Sequence, residues 1–359
     1  MCGYIFFDIE PFARVGMKDL ERDYRHFLLA SIILYGPSDT GKTTLILDIL
    51  KILLKYIPNV LVYSPTALIN GSFDGVVPRR AIISSVTIES IEKMYRRQER
   101  IAKAYKIAND MVILENLFKR VATGGALKIN TMVKELRDEM VAEIREGTLP
   151  QGARNTAIIK IKKDCSTYLR HIYRTAIGTC GATLKGMNLS QRERVALKYL
   201  HVNPYTLVIF DDCASFFSKK MQNEPVIKDL FFMFRHVYGT CMFTGQDDTN
   251  FESYLRKNAM VSGFTDAQCA SSYFERSANS FSKQVRAEAA TMIDYVFSTR
   301  TKRVPEFTKL FYIRKNKEPF RKYLAQVHEP FRFGSAPFWK LCEQLDSNPE
   351  EEKELLRLL

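Results

Sequence analysis

The sequence predicts an α/β fold, a mainly parallel central sheet flanked by helices and carrying a helical insertion. Three observations predict it: a glycine-rich loop between a short apolar run and a helical stretch, a later apolar run ending in two aspartates, and a long helical stretch between the two.

Ile32, Ile33 and Leu34 lead into Tyr35-Gly36-Pro37-Ser38-Asp39-Thr40-Gly41-Lys42-Thr43-Thr44, a complete G-x-x-x-x-G-K-[ST] phosphate loop (Walker A) between strand and helix. The loop residues Gly36 to Thr44 form the expected nucleotide cradle. The glycines let backbone amides converge on a β-phosphate, Lys42 brings a point charge to the β and γ oxygens, and the Thr43 hydroxyl suits Mg²⁺. Leu45, Ile46, Ile49, Leu50 and Leu53 give the following helix its apolar face, and its positive end points at the phosphates.

Residues 59–64 read as the second core strand and 80–85 as another. From 88 to about 108 the pattern becomes an amphipathic basic helix, with Arg96, Arg97, Arg100, Lys103 and Lys106 among Ile91, Met94, Tyr95, Ile101 and Tyr105. Further helices are expected over 110–120, 130–146 and 159–177, separated by glycine-containing stretches at 124–125, 147–152 and 178–186. The domain organisation that follows is a core of 1–85 and 201–315, a basic helical insertion of 86–200, and a C-terminal extension of 316–359.

Tyr205-Thr206-Leu207-Val208-Ile209-Phe210 ends in Asp211-Asp212, the Walker B pattern of a buried parallel strand with an acidic tip. Asp211 is expected to hold the Mg²⁺, and Asp212 to orient and deprotonate an attacking water. A helical run over 226–238 precedes the strand 240–244, whose tip carries Gln246, the expected γ-phosphate sensor. Residues 259–264 suit a fifth strand, 266–290 a polar helix and 309–314 an edge strand, and the tail 348–359 an acidic helix. The aromatic and basic mixture over 300–323 suits either DNA or a packed edge.

The chain has 359 residues, 46% apolar, enough for a large core. No run of about 18 uncharged apolar residues offers a membrane span. The N-terminus lacks a basic leader and does not read as a secretory signal. The seven cysteines, Cys2, Cys165, Cys180, Cys213, Cys241, Cys269 and Cys342, form no C-x-x-C pair, which argues against a zinc site or a disulfide framework. Net charge is +13, and from Arg79 to Lys198 there are 24 Lys and Arg against 12 Asp and Glu, a surplus of 12. That concentration suits a surface facing nucleic acid, although long helices with solvated cationic faces give the same count.

The series Leu207-Val208-Ile209-Phe210-Asp211-Asp212, Phe234-Arg235-His236-Val237-Tyr238-Gly239-Thr240, Phe243-Thr244-Gly245-Gln246 and Leu255-Arg256-Lys257-Asn258-Ala259 resembles the genome-packaging ATPases of nucleocytoplasmic large DNA viruses. These include the poxvirus packaging ATPase and belong to the FtsK/HerA group of RecA-like motors. The match covers roughly 30–85 and 203–275. Asp212 stands where many FtsK/HerA motors carry Glu, and the insertion is longer than the poxvirus core. The resemblance implies a RecA-like core and a ring, pentameric or hexameric, that hydrolyses ATP with Mg²⁺ and pumps double-stranded DNA into a preformed capsid. It implies capsid or portal-vertex partners, and action in the host cell at the site of virion assembly or in association with the virion. It also implies an arginine, Arg235 in preference to Arg256, that stabilises γ-phosphate charge within its own subunit or across an interface.

A small-molecule kinase of the nucleoside type, with the insertion as a lid, uses the same loop and is the alternative. A switch GTPase lacks its Asn-Lys-x-Asp string; Asn316-Lys317-Glu318-Pro319 is the nearest. A non-catalytic relic would show a damaged Lys42 or Asp211, and both are intact.

Overall fold

Apolar runs of about five residues bounded by turn formers are too short for helices, and without polar alternation they bury both faces in a parallel sheet. The computed structural model, which describes residues 18–20, 22–213, 217–298 and 308–347, places nine strands in one sheet. They are β1 (Lys18–Asp19), β2 (Ser31–Tyr35), β3 (Asn59–Tyr63), β4 (Ile82–Ile83), β5 (Thr206–Phe210), β6 (Gly239–Gly245), β7 (Val261–Phe264), β8 (Thr308–Ile313) and β9 (Phe320–Leu324). Their order is β1-β9-β8-β7-β2-β6-β5-β3-β4. The six from β4 to β7 run parallel, and β8 is antiparallel to both β7 and β9. The fold is thus α/β with a mainly parallel sheet. Tyr35 lies level with Gly245 and Phe264, and Phe210 with Tyr63 and Phe243. The C-terminal ends of β2, β3, β5, β6 and β7 therefore share one edge.

Successive strand residues point to opposite faces. Ile32, Leu34, Val60, Val62, Leu207, Ile209 and Met242 join Leu45, Ile46, Ile49, Leu50 and Leu53 of helix α1 (Lys42–Leu53) in one buried layer. Ile33, Tyr35, Val208, Phe210, Cys241 and Phe243 face the other way. There the rings of Tyr63, Phe210 and Phe243 stack across neighbouring strands, with centroids 4.9 and 4.5 Å apart, and contacts of this kind add about 0.5–1.5 kcal/mol each beyond area burial.

The described residues divide into two compact units, one drawn from Met1–Gln98 and Pro204–Leu359, the other Glu99–Asn203. The first holds the sheet, α1, α2 (Ala67–Asn70) and the first half of α3 (Ile88–Ala108), the helix within which the division falls. The second is helical: α4 (Met111–Val121), α5 (Gly124–Glu146), α6 (Gln151–Thr179), α7 (Gly181–Lys185) and α8 (Gln191–Lys198). Its core joins Leu114, Leu117 and Phe118 to Leu169, Tyr173 and Ile177. Asp110 caps α4 by accepting from the Val112 and Ile113 amides, and Ser190 with Glu193 forms a capping box on α8.

Several boundaries differ from expectation. α5 starts at Gly124, because Thr123 accepts from the Ala126 amide and so caps a first turn that contains the glycine pair. α6 likewise begins before Gly152 and passes through Gly178. The helical run over 226–238 is α10 (Pro225–Phe232), preceded by the short α9 (Lys219–Gln222), and then a 3₁₀ turn Phe234–Val237 closed by Tyr238 at φ 66°. The polar helix over 266–290 is broken in two. After α11 (Ser253–Asn258) come α12 (Ala267–Glu275) and α13 (Lys283–Ile293), separated by Ser280 at φ 57°.

Residues 309–314 do not form an edge strand: β8 lies between β7 and β9 and all six of its residues are buried. Part of the stretch expected as a C-terminal extension supplies β9, followed by α14 (Ala336–Ser347). Phe311, Tyr312, Phe320 and Tyr323 are core residues, so the aromatics over 300–323 that are described form a packed layer. The acidic tail 348–359 lies outside the described residues.

Candidate nucleotide site

The loop after β2 turns back over the sheet edge because two of its positions accept only glycine. A Cβ at Gly36 would stand 1.8 Å from Thr265 Oγ1 and 2.7 Å from Thr40 Oγ1. Gly41 has φ 84°, a left-handed conformation at the start of α1, and Asp39 has φ 61°. The Thr40 hydroxyl donates to the Pro37 carbonyl at 2.8 Å and lies 2.5 Å from Thr265 Oγ1. Lys42 folds onto its own loop, its Nζ donating to the Gly36 and Pro37 carbonyls at 2.6 Å each.

A cavity of about 580 Å³ opens at this edge, lined by the loop from Ser38 to Thr44 and by Thr66, Asp211, Asp212, Thr265 and Lys309. That is the size of an ordinary small-molecule site. β6 lies between the loop strand and β5, so the tip of β6 stands between the loop and the two aspartates. Thr244 uses that place. Its hydroxyl donates to Asp211 Oδ1 at 3.0 Å and accepts from the Asp212 amide at 2.9 Å. Asp212 takes φ 53°, a conformation that Asp and Asn adopt more readily than most residues, and its Oδ2 accepts from Thr66 Oγ1 at 3.3 Å.

Burial and charge oppose each other at this site. Burial pushes the Asp211 carboxyl above its usual range; the Thr244 hydroxyl opposes the shift, the neighbouring Asp212 adds to it and Lys42 opposes it. Burial lowers Lys42 against the pull of Asp211 and Asp212. Each group is held toward its neutral form, the condition that a ligand carrying both anionic oxygens and a cation relieves.

A stability prediction follows. The folded Asp211 carboxyl keeps its proton to higher pH than the unfolded one, so its ionisation costs stability as pH rises from the unfolded value through the raised folded value. Above that interval the cost is fully present. Asp211→Asn keeps an acceptor for Thr244, and its urea midpoint without ligand is expected to exceed that of the natural chain at about pH 7 and to converge with it near about pH 3. A midpoint lowered at about pH 7 and unchanged near about pH 3 would mean that the ionised carboxylate is stabilising.

The predicted site residues divide by place. Lys42, Thr43, Thr44, Asp211 and Asp212 meet at the cavity. Gln246 is exposed on the loop after β6 and is not among the lining residues; its carbonyl accepts from Cys269 Sγ at 3.1 Å. Arg235 is not at the cavity of its own chain. Its Nη1 lies 3.9 Å from Met260 Sδ, and the Met260 amide donates to the Ser31 carbonyl. This is the opposite edge of the sheet, about 15 Å away along β2. Arg256 is buried at 5% exposure and donates to the Asp248 carboxylate at 2.7 Å and its carbonyl at 2.8 Å. Its guanidinium is therefore a core ion-pair partner and presents nothing to a neighbouring subunit. Six lining residues lie beyond the reach of the motifs: Thr66, Asn70, Ser72, Thr265, Asp266 and Lys309. Lys309, on β8, is 2% exposed and donates to the Thr40 carbonyl at 2.6 Å. Their place depends on strand order, for which no local motif exists.

No family model matches the chain. It is 29% identical over 346 residues to "Uncharacterized protein B354L" of African swine fever virus, covering 92% of each chain, in isolates from Kenya and Malawi among others. Among solved structures it is similar to the genome packaging NTPase B204 from Sulfolobus turreted icosahedral virus 2 in complex with AMP. That match has 11% identity and a TM-score of 0.36, and covers 87% of this chain and 100% of that one. It is also similar to the plasmid coupling protein TrwB in complex with a non-hydrolysable GTP analogue, at 11% identity and a TM-score of 0.37, covering 89% and 91%. Among the described residues no helix is long and apolar enough to cross a membrane.

Proposed function

We propose that the chain is an ATP-hydrolysing motor that moves double-stranded DNA into a preformed capsid during virion assembly in the host cell. The observation that carries the hydrolysis is the meeting of a complete phosphate loop with Asp211 and Asp212 at one sheet edge, both aspartates tied through Thr244.

Lys42 exchanges its loop carbonyls for β and γ oxygens of the triphosphate. The Thr43 hydroxyl and the Asp211 carboxylate are hard oxygen donors of the kind Mg²⁺ takes, and both residues line the cavity. Magnesium held there would neutralise charge developing on the transferring phosphoryl group. Asp212 accepts the proton of the attacking water, its position fixed by Thr66 and by its own amide on Thr244. Gln246, the first residue after β6, lies outside the cavity lining, so as γ-phosphate sensor it acts only with its loop turned toward the bound nucleotide. Arg235 reaches a nucleotide only in a neighbouring copy, which agrees with a homo-oligomeric ring, pentameric or hexameric.

DNA as the cargo rests on the resemblance to packaging ATPases and on the surplus of cations between Arg79 and Lys198. Part of that surplus is spent on ion pairs, Lys119 and Lys134 with Glu115, Arg120 with Glu193 and Arg192 with Asp110. Lys160, Lys162, Lys163, Lys185, Arg194 and Lys198 are exposed in the helical unit and suit phosphate contact. Capsid or portal-vertex proteins are the partners that such a motor requires, and some copies remain associated with the virion.

Hydrolysis by the purified chain, with ATP or GTP and with or without long duplex DNA, tests this over a range of protein concentrations. Faster hydrolysis with DNA, and a rate per subunit that climbs with concentration, are expected. Hydrolysis indifferent to both would keep the nucleotide site and remove the motor, and acceptor-dependent phosphate transfer would establish a kinase instead.

A further inference from the structure

The one strand that runs against its neighbours brings a buried cation to the nucleotide edge. Parallel strands end at that edge, and β8, antiparallel to β7, begins there. Leu310 pairs with Phe264, so Lys309 stands beside Thr265, whose amide and hydroxyl both donate to the Tyr35 carbonyl, at 2.9 and 3.2 Å. Tyr35, Phe264 and Leu310 form one row across β2, β7 and β8, and Gly36, Thr265 and Lys309 lie one residue beyond it, at the base of the phosphate loop.

The Lys309 ammonium donates to the Thr40 carbonyl at 2.6 Å, and a Cβ placed on Gly41 would lie 3.3 Å from its Nζ. It therefore rests against the Thr40–Gly41 peptide, in the part of the loop whose N–H groups face phosphate in such cradles. Lys42 does the same from the other side, on the Gly36 and Pro37 carbonyls. Both lysines are lining residues of the cavity. In strand order β8 lies two places from β2 on one side and β5 two places on the other, so Lys309 and the aspartates flank the loop.

We infer that Lys309 is a second phosphate-binding cation, taking an oxygen of the bound triphosphate from the side opposite Asp211 and Asp212. The inference rests on the nucleotide reading above. A cation on that flank distinguishes a triphosphate from a monophosphate by charge, as Lys42 does, and ties β8 and β9 to the occupancy of the loop.

The test is equilibrium binding of nucleoside mono-, di- and triphosphate to the full chain by calorimetry, for the natural protein, Lys309→Met, Lys309→Arg and the control Lys42→Ala. A charge-assisted hydrogen bond to phosphate leads us to expect triphosphate binding weakened roughly 10- to 100-fold in Lys309→Met. Monophosphate binding should change by less than about 3-fold, with Lys309→Arg close to the natural chain. Lys309→Gln keeps a donor for Thr40 and loses the charge, and gives the same comparison if the methionine variant fails to fold. Equal losses for mono- and triphosphate, or a triphosphate preference lost in Lys42→Ala and intact in Lys309→Met and Lys309→Gln, would overturn the inference alone. A natural chain with no preference for triphosphate would overturn the nucleotide reading with it.

Discussion

Replacing Asp212 with Asn is expected to lower steady-state triphosphate hydrolysis by about 10²- to 10⁴-fold, the usual contribution of a positioned general base, while leaving nucleotide affinity within about 3-fold of the natural value. The split follows from the geometry. Asn tolerates the left-handed backbone at this position, φ 53°, and its side-chain oxygen still accepts from Thr66. The Asp212 amide bond to Thr244 involves no side-chain atom of residue 212 and persists. Only the capacity to take a proton is lost. Lys42→Ala should behave differently, losing both affinity and rate, with the rate down about 10²- to 10³-fold, because Lys42 contacts the phosphates in the ground state as well as in the transition state. Single-turnover hydrolysis and calorimetric titration on the same preparations separate the two. An Asp212→Asn variant within about 10-fold of the natural rate would remove Asp212 as the base.

The same site shows what a sequence carries and what it withholds. Gly36, Gly41, Lys42 and Thr43 are legible because a phosphate loop is a local object: a strand, a turn that needs glycine, and a helix start, all within about 15 residues. Asp211 and Asp212 are legible for a related reason. A strand of five buried residues delivers the two carboxylates that follow it to the sheet edge, and phosphate-loop hydrolases as a class use acidic side chains at that edge for metal and water. Thr66, Thr265 and Lys309 are not legible. Each reaches the cavity through its place in the strand order, Thr66 meeting Asp212 over a separation of 146 residues and Thr265 and Lys309 meeting Thr40 over 225 and 269, and pairings so distant leave no periodic trace.

Lys309 is further obscured because β9 does not read as a strand. Its sequence Phe-Arg-Lys-Tyr-Leu buries Phe320 and Tyr323 while Arg321 and Lys322 between them stay half-exposed, so strict alternation is lost. Without β9 as a partner, β8 reads as an edge strand, where a lysine is ordinary. In the interior, flanked by β7 and β9, a lysine at 2% exposure is unusual and points to its environment. The helical unit shows the opposite error: its glycines read as breaks, yet capping by Thr123 lets one helix absorb them. A glycine in a first turn replaces no interior hydrogen bond, so the cost that would end a helix elsewhere does not arise.

Arg256 is where reading by resemblance and reading by burial part, and its surroundings set the largest expected stability effect. Asp248 is fully buried and accepts from Arg256 Nη1 at 2.7 Å and from Arg276 Nε and Nη2 at 2.6 and 2.9 Å. Arg256 is itself 5% exposed, whereas the Arg276 side chain keeps 34% of its surface in water. Asp248→Ala should therefore destabilise the chain by about 3–5 kcal/mol, since it leaves the Arg256 charge buried without its carboxylate. Arg276→Ala should cost far less, about 1 kcal/mol, because Asp248 retains Arg256 and water replaces an exposed partner. The double substitution should fall well short of the sum of the singles once Asp248 is absent. Urea unfolding of the three variants decides it. A loss under about 1 kcal/mol for Asp248→Ala would mean that the buried pair contributes little net energy, its attraction offset by the desolvation of both ions. In either case Arg256 is committed to its own chain, and for the ring proposed above the search for an arginine acting between copies begins at Arg235, on the opposite edge of the sheet from the phosphate loop.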